Sequence, residues 1–290
     1  MSENNDDRIC CVICRQPTTT TTDNGSGDND DVVGQVELTN CNHAYHAACL
    51  ERWLDIPGSL GRCPYCRQQL THIGGRSVLP EMPENLCGAR WIPAERKVDA
   101  SELGWTRIPD GFGTGRGWDR VKVVDLFSNQ LSALPADIFK QCRELQKVYL
   151  SKNKLSALPA DIFAECTELR EIILSGNQLS ALPADIFSQC TKLQNVYLSN
   201  NELSALPAAL FKQCPQLRQI NLSENKLSAL PADIFAECTE LKKIDLSNNE
   251  LSALPAALFK QCTELQEIRL SNNQLSALPA DLFAECTQLQ

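Results

Sequence analysis

Eight cysteines and histidines at the spacing of metal ligands lie within the first 66 positions of this 290-residue chain. They are six cysteines and two histidines: Cys11, Cys14, Cys41, His43, His46, Cys49, Cys63 and Cys66. Thiolates and imidazoles are the preferred ligands of tetrahedral zinc, and eight of them suit two closed structural sites. A two-residue gap, as between Cys11 and Cys14, lets a tight turn present both sulfurs to one metal ion. Spacing alone leaves open which ligand pairs share a metal.

Other kinds of site explain the same residues less completely. A catalytic cysteine–histidine pair needs one nucleophile and one base, and would leave the remaining cysteines without a role. A small disulfide domain needs an oxidising compartment. Zinc would also stabilise a segment that is too short to fold on its apolar core alone. About 60 residues build little core, and each structural zinc contributes roughly 10–16 kcal/mol of coupled binding and folding energy. Cys10 and Cys87 belong to no cysteine pattern and are interpreted as incidental.

The ligand order C-x2-C, C-x-H-x2-H-x2-C, C-P-x-C over residues 11–66 resembles the RING-H2 form of the RING finger family. The resemblance implies a small zinc-stabilised α+β domain with two Zn²⁺ ions and interleaved ligand pairs. One zinc ion would be bound by Cys11, Cys14, His46 and Cys49. The other would be bound by Cys41, His43, Cys63 and Cys66. Both ions would be structural, since four protein ligands leave no open position for water.

The same resemblance implies an E3 ubiquitin-protein ligase. RING fingers of this type bind a ubiquitin-charged conjugating enzyme and promote direct transfer to a substrate lysine, with no covalent ubiquitin intermediate on the ligase. The groove that receives the conjugating enzyme would be formed by Ile13, Trp53 and Pro64. Arg67 matches the arginine linchpin that bridges the conjugating enzyme and ubiquitin, a role that suits its planar fork of donors. A ligase of this kind supplies no nucleophile and accelerates transfer by holding the charged conjugating enzyme in a reactive orientation.

Trp53 and Arg67 also have purely structural interpretations. The segment 46–54 contains good helix formers and places Leu50, Trp53 and Leu54 on one side, so Trp53 could be a core residue. Arg67 could be a solvated surface charge.

From residue 121 onward the sequence repeats every 24 residues. The phrase N-x-L-S-A-L-P-A recurs, with its asparagine at Asn129, Asn153, Asn177, Asn201, Asn225, Asn249 and Asn273. The pattern resembles the leucine-rich repeat family over residues 121–290, in seven full units. It implies an α/β solenoid with one short parallel strand per unit and a ladder of asparagines that satisfy backbone groups. Alternation in such a strand points Val148 and Leu150 inward.

A second group of cysteines follows the repeat. One occurs in each unit: Cys142, Cys166, Cys190, Cys214, Cys238, Cys262 and Cys286. A metal ladder or a set of redox thiols is the functional alternative. No histidine or carboxylate recurs beside them at ligand spacing, so they are predicted to be small buried hydrophobic residues.

The repeats differ mainly at positions predicted to face the concave side of the solenoid. The residue between the two strand leucines is Asp125, Tyr149, Ile173, Tyr197, Asn221, Asp245 and Arg269. The position two residues earlier also varies, and includes Lys147 and Glu171. Aromatic residues with a polar rim are typical of protein interfaces, which predicts that Tyr149, Ile173, Tyr197, Asp245 and Arg269 bind a substrate. The alternative is that they are tolerated strand formers.

These patterns divide the chain into three parts. Residues 1–70 form the RING-H2 finger, interrupted by a polar loop at 17–31. Residues 71–120 form a linker and, in their latter part, an N-terminal cap of the repeats, since a pure linker rarely contains tryptophans such as Trp91, Trp105 and Trp118. A disordered linker is the alternative. Residues 121–290 form the repeat array.

Composition narrows the classes of function. A net charge of −9 and a pI of about 5.0 argue against nucleic acid or anionic membrane as the main partner. No apolar stretch approaches the roughly 18 residues of a membrane span, and the polar, acidic start lacks the pattern of a secretory signal. A cytoplasmic location is therefore expected, with the nucleus also open, and it keeps zinc-binding thiolates reduced.

The whole sequence favours a two-part ligase whose repeats recruit a protein substrate. The alternative is a non-catalytic adaptor that combines a zinc finger with leucine-rich repeats. An extracellular pattern receptor fits the reduced thiolates less well. Many RING proteins dimerise, and the sequence leaves dimerisation undecided.

Overall fold

The structure, a computed structural model, describes residues 83–290 and, before them, only the backbone of four two-residue strands. The chain divides into two compact units, Met1–Met82 and Pro83–Gln290. In the first unit, β1 (Gln35–Val36) pairs antiparallel with β2 (Tyr45–His46). There too, β3 (His72–Ile73) pairs antiparallel with β4 (Arg76–Ser77). The predicted loop at 17–31 lies outside the described residues, as does the predicted helix at 46–54 except for the backbone of His46.

The second unit is organised around one nine-stranded sheet whose strands follow chain order. Its strands are β5 (Arg90–Ile92), β6 (Lys97–Asp99), β7 (Val123–Asp125), β8 (Lys147–Tyr149), β9 (Glu171–Ile173), β10 (Asn195–Tyr197), β11 (Gln219–Asn221), β12 (Lys243–Asp245) and β13 (Glu267–Arg269). β5 and β6 form an antiparallel pair, and β6 to β13 pair in parallel. Each repeat thus contributes one strand, which confirms the predicted leucine-rich repeat solenoid.

Alternation along each strand sets which side chains enter the core. In β8 the middle residue, Val148, is fully buried, and so is Leu150 just after the strand, as predicted. The rest of each repeat returns through successive turns. Within residues 83–290 the only regular helices are single 3₁₀ turns, Pro93–Glu95 and Trp118–Arg120. No helix in the described part of the chain is long and apolar enough to cross a membrane.

A column of stacked phenylalanines runs through the core. The residues are Phe139, Phe163, Phe187, Phe211, Phe235, Phe259 and Phe283. Successive ring centroids lie between 5.7 and 6.2 Å apart, within the range of favourable aromatic contacts. The repeats therefore stabilise one another through contacts between neighbours.

The asparagines form the predicted ladder. The side-chain amide of Asn201 donates to the carbonyls of Leu174 and Leu198, both at 3.0 Å, and its oxygen accepts from the Leu179 amide at 3.0 Å. One side chain thus satisfies backbone groups of its own repeat and of the preceding one. Within the described structure the Leu179 amide has no other hydrogen-bond partner, so without Asn201 it would be buried and unpaired. Each of the two carbonyls also accepts from one further asparagine, Asn177 or Asn225.

Residues 83–120 pack on the first repeat through a cluster of aromatic side chains. Phe112 lies edge-to-face between Trp105 and Trp118, with centroid distances of 5.3 and 4.9 Å. The Trp118 indole donates to the Glu84 carbonyl at 2.7 Å. Gly113 has a φ of 86°, and a Cβ there would lie 2.3 Å from the Ile138 carbonyl oxygen. Only glycine allows this approach of the segment to the first repeat.

The repeat cysteines are buried in the core, as predicted. Burial raises the pKa of Cys166, Cys214 and Cys262 to about 12, so these thiols stay protonated at neutral pH. No group of three or more potential metal ligands occurs among the residues the structure describes. The column of repeat cysteines therefore packs the core, and its thiols are unreactive in the folded protein.

We predict that native protein labelled with a maleimide will react at Cys87, which is exposed, and at none of the seven buried repeat cysteines. Mass spectrometry of digested protein, before and after urea unfolding, gives the site-by-site readout. Labelling of Cys190 as fast as Cys87 in native protein would contradict the inert column.

Candidate functional site

The sequence-predicted site residues fall into two sets with respect to the described structure. Apart from the backbone of His46 in β2, the eight zinc ligands lie outside the described residues, as do Ile13, Trp53, Pro64 and Arg67. The predicted substrate-binding residues all lie in the repeat array, where side-chain geometry is described.

The first and third residues of strands β6 to β13 emerge on the side of the sheet opposite the core, and we call this surface the open face. The first residues are Lys97, Val123, Lys147, Glu171, Asn195, Gln219, Lys243 and Glu267. The third residues are Asp99, Asp125, Tyr149, Ile173, Tyr197, Asn221, Asp245 and Arg269. Parallel register places each residue beside its counterpart in the next repeat. All five predicted substrate-binding residues therefore share one column.

The end of the open face nearest β5 consists of paired charges. The Lys97 ammonium lies 2.7 Å from the Asp125 carboxylate, and Arg90 lies 2.8 Å from Asp99. Partial burial alone would raise the pKa of Asp99, but hydrogen bonds from Ser101 and Arg90 outweigh it and lower the pKa. Sequence reasoning missed Lys97 and Arg90 because they precede the repeats. The only available signal was the tryptophan-rich segment around them.

The centre of the open face is aromatic and apolar. Tyr149, Ile173 and Tyr197 occupy neighbouring positions on β8, β9 and β10, and each is half-buried. The Tyr197 hydroxyl donates to the Gln219 side chain at 3.1 Å. Burial, followed by the nearby Glu171 carboxylate, raises the pKa of Tyr149 to about 12. Both phenols are therefore neutral at physiological pH.

The opposite end of the open face contains a shallow polar depression of about 140 Å³, lined by Asn221, Asp245, Arg269 and their neighbours on β11 to β13. Arg269 lies 2.7 Å from Glu267 and 3.9 Å from Asp245. Hydrogen bonds from Lys243, then Arg269, lower the pKa of Glu267. These largely exposed pairs contribute little to stability.

The arrangement suits binding rather than bond-breaking chemistry. An aromatic strip lies between two polar, charged ends, which is the composition favoured at protein interfaces.

Comparison with known families identifies both parts of the chain. A family model described as "BspA type Leucine rich repeat region (6 copies)" matches residues 122–229 and 182–290, more than half of the sequence. The chain belongs to the BspA-type leucine-rich repeat family. A second family model, the "Anaphase-promoting complex subunit 11 RING-H2 finger", matches residues 6–73, which include all eight candidate ligands. The chain is thus a RING-H2 finger followed by BspA-type repeats, as the resemblances predicted.

Curated relatives match the finger over short stretches. Anaphase-promoting complex subunit 11 of Saccharomyces cerevisiae is 57% identical over 28 residues, which cover 10% of this chain and 17% of the relative. The subunit of the same name from Schizosaccharomyces pombe is 43% identical over 42 residues, covering 14% of this chain and 40% of the relative. The chain therefore spans less than half the length of either relative.

Solved structures match the BspA-type array. A chain in the structure of the Toll–Spatzle complex, described as a molecular hub in Drosophila development and innate immunity, has a TM-score of 0.55 and 33% identity, covering 60% of this chain and 23% of that chain. A chain in the TLR13–ssRNA13 complex has a TM-score of 0.55 and 26% identity, covering 58% of this chain and 24% of that chain. The solenoid architecture is shared with both.

The family matches bear on both parts of the chain. The N-terminal finger is of the kind found in E3 ubiquitin ligases. A RING-H2 finger binds zinc, and six thiolates with two imidazoles are a donor set suited to that metal. The BspA-type repeats form a solenoid, an architecture that suits protein interaction.

Proposed function

We propose that this chain is a RING-type E3 ubiquitin ligase whose repeats recruit the protein to be modified. The observation that carries the proposal is the complete set of eight ligands, in RING-H2 order, inside the segment that matches the anaphase-promoting complex subunit 11 finger. An incomplete ligand set would be compatible with a degenerate finger. A complete one supports a folded docking site.

Zinc in this proposal is structural. Two ions would hold the fold, one through Cys11, Cys14, His46 and Cys49 and the other through Cys41, His43, Cys63 and Cys66. With four protein ligands, neither ion would activate water. The finger's contribution to transfer would come from side chains that bind and orient the conjugating enzyme.

Ile13, Trp53 and Pro64 would form the apolar groove for that enzyme, and Arg67 would orient its bound ubiquitin. A fixed orientation exposes the thioester to a substrate lysine and lowers the entropic part of the barrier. Arginine suits the linchpin position because its planar guanidinium can donate to two partners at once.

The open face of the repeats would recruit the substrate through Tyr149, Ile173 and Tyr197, with Asp245 and Arg269 towards one end. Aromatic side chains supply much of the binding energy at protein interfaces. We also propose a cytoplasmic location, because the thiolates that bind zinc remain reduced there.

The test is ubiquitin-chain synthesis by the full-length chain with activating enzyme, a panel of conjugating enzymes and ATP. Trp53→Ala or Ile13→Ala is expected to reduce chain formation at least roughly tenfold, since hot-spot truncations at interfaces cost 2 kcal/mol or more. Zinc content, measured by inductively coupled plasma mass spectrometry, should stay unchanged. Full activity in both variants would refute the groove assignment.

Arg67 provides a second, more selective variant. Arg67→Ala is expected to slow discharge of the charged conjugating enzyme more than it weakens binding of the uncharged enzyme. Arg67→Lys should recover only part of the rate, because lysine keeps the charge but lacks the fork. Arg107→Ala, at an exposed position of the second unit, is the matched control. A wild-type chain that binds conjugating enzymes but discharges none of them would favour the adaptor alternative.

A further inference from the structure

The centre of the open face places an aromatic side chain on each side of an apolar one, and we call these three residues the clamp. Tyr149 and Tyr197 lie on β8 and β10, with Ile173 between them on β9. Neighbouring strands are about 4.8 Å apart, so the two tyrosine positions are separated by roughly 10 Å. Favourable carbon contacts occur at about 3.5–4.0 Å, so a flat group in contact with both rings needs roughly 7–8 Å and fits between these positions if the rings lean towards each other. Ile173, which is half-buried, forms the floor of the gap.

Acidic residues surround this clamp. Glu171 lies on the same strand as Ile173, and its side chain is only 19% exposed. Burial raises the pKa of Tyr149 to about 12, together with the charge of Glu171, a hydrogen bond to that carboxylate, and the charges of Asp125 and Glu95. Burial and then Glu171 raise the pKa of Tyr197. Carboxylates therefore act on both phenols and disfavour any further negative charge there.

Lys147 is the cation that now faces Glu171, at 3.6 Å. The Lys147 side chain is 44% exposed, and an ion pair that is open to solvent on one side and 3.6 Å long is weak. An incoming cation can therefore compete for Glu171. At the two ends of the open face the carboxylates have closer cations, because Asp125 lies 2.7 Å from Lys97 and Glu267 lies 2.7 Å from Arg269. The centre combines two aromatic side chains with a carboxylate that lies 3.6 Å from its cation and also interacts with the Tyr149 hydroxyl.

We propose that Tyr149 and Tyr197 bind an arginine side chain presented by an extended segment of the partner protein. The guanidinium stacks between the two rings above Ile173 and pairs with Glu171. Arginine fits better than lysine because its planar, weakly hydrated head combines stacking, cation–π attraction and a charge-assisted hydrogen bond. The inference rests on the proposed recruiting role of the open face and specifies the chemistry it recognises.

The test compares two fluorescein-labelled peptides that differ at one side chain. Each contains a central residue flanked by leucines, which is arginine in one peptide and citrulline in the other. Citrulline keeps the shape of arginine but is neutral. Titrated with the full-length chain and followed by fluorescence anisotropy, the arginine peptide is expected to bind about tenfold more tightly. Equal affinities would overturn the proposal without recourse to any variant.

Variants then assign the effect to the clamp. Glu171→Gln should reduce the preference for arginine over citrulline roughly fivefold, and Tyr149→Ala with Tyr197→Ala should abolish it. Glu267→Gln is the matched control, since it removes a carboxylate from the same strand position of β13, outside the clamp. An equal loss of selectivity in Glu267→Gln and Glu171→Gln would show a diffuse charge effect and refute the clamp.

Two further measurements separate causes of failure. Tyr149→Phe keeps the ring and should keep the selectivity, and circular dichroism melting checks that each variant folds. Discharge of charged conjugating enzyme is measured in the same preparations without peptide. Normal discharge with no arginine selectivity refutes the clamp and leaves the ligase proposal standing. Arginine selectivity without discharge supports the clamp and refutes the ligase.

Discussion

Removal of zinc by a chelator is expected to abolish ubiquitin transfer and to leave the repeat array folded. Structural zinc contributes roughly 10–16 kcal/mol of coupled binding and folding energy per site, more than the stability of an ordinary small domain. The array's core is built by residues 83–290, and no metal-ligand group occurs among them. Loss of metal should therefore unfold the finger, which is too small to be held by its apolar core.

Three measurements follow this loss. Zinc released into a colorimetric indicator should approach two ions per chain, discharge activity should fall to background, and hydrogen exchange in β8 to β12 should not change. Cys49→Ser is the genetic equivalent of the chelator. Cys10→Ser is its matched control, because Cys10 adjoins a ligand but has no assigned metal role. Retained activity in zinc-free protein, or zinc loss in Cys10→Ser, would contradict the assignment.

Asn201→Ala is expected to destabilise the array by about 2–4 kcal/mol, because a buried backbone amide left without a partner costs about 1–3 kcal/mol and two carbonyls each lose one of their two bonds. The Asn201 amide donates to the Leu174 and Leu198 carbonyls, and its oxygen accepts from the Leu179 amide. Alanine supplies none of these bonds, and the site is buried away from water. The free energy of unfolding in urea, followed by circular dichroism, provides the measurement.

Asn273→Ala is the matched control for the ladder. Asn273 makes the same kinds of bond, to the Leu246 and Leu270 carbonyls, but is only partly buried. Water can replace its bonds, so the expected loss is about 1 kcal/mol. Similar losses in the two variants would mean that burial does not set the strength of the ladder.

The repeated parts of the fold could be predicted well from sequence. Each unit carries its own alternating strand and its own asparagine, so the inward direction of Val148 and the ladder bonds of Asn201 follow from local pattern. Burial of the cysteine column followed from the lack of partner ligands at recurrent spacing. These features depend on contacts between adjacent repeats. The sequence period predicts those contacts directly, because equivalent residues of neighbouring repeats lie side by side.

The non-repeated parts could not be predicted in the same detail. The β5–β6 hairpin, and the pairing of Lys97 with Asp125, join segments with no period to set their register. The contact of Phe112 with both Trp105 and Trp118 is equally specific to this chain. The distribution of zinc ligands between ions depends on distant segments meeting, and ligand spacing alone does not determine it.

The separation of buried and open positions along each strand has an evolutionary consequence. Every interior unit makes the same phenylalanine and asparagine contacts with its neighbours. Duplication or deletion of one whole 24-residue unit therefore restores the same contacts between units. Substitutions at the outward positions of a strand, such as Tyr149 or Ile173, do not change those contacts. The array can therefore change its length and its specificity by independent genetic events, each compatible with an intact fold.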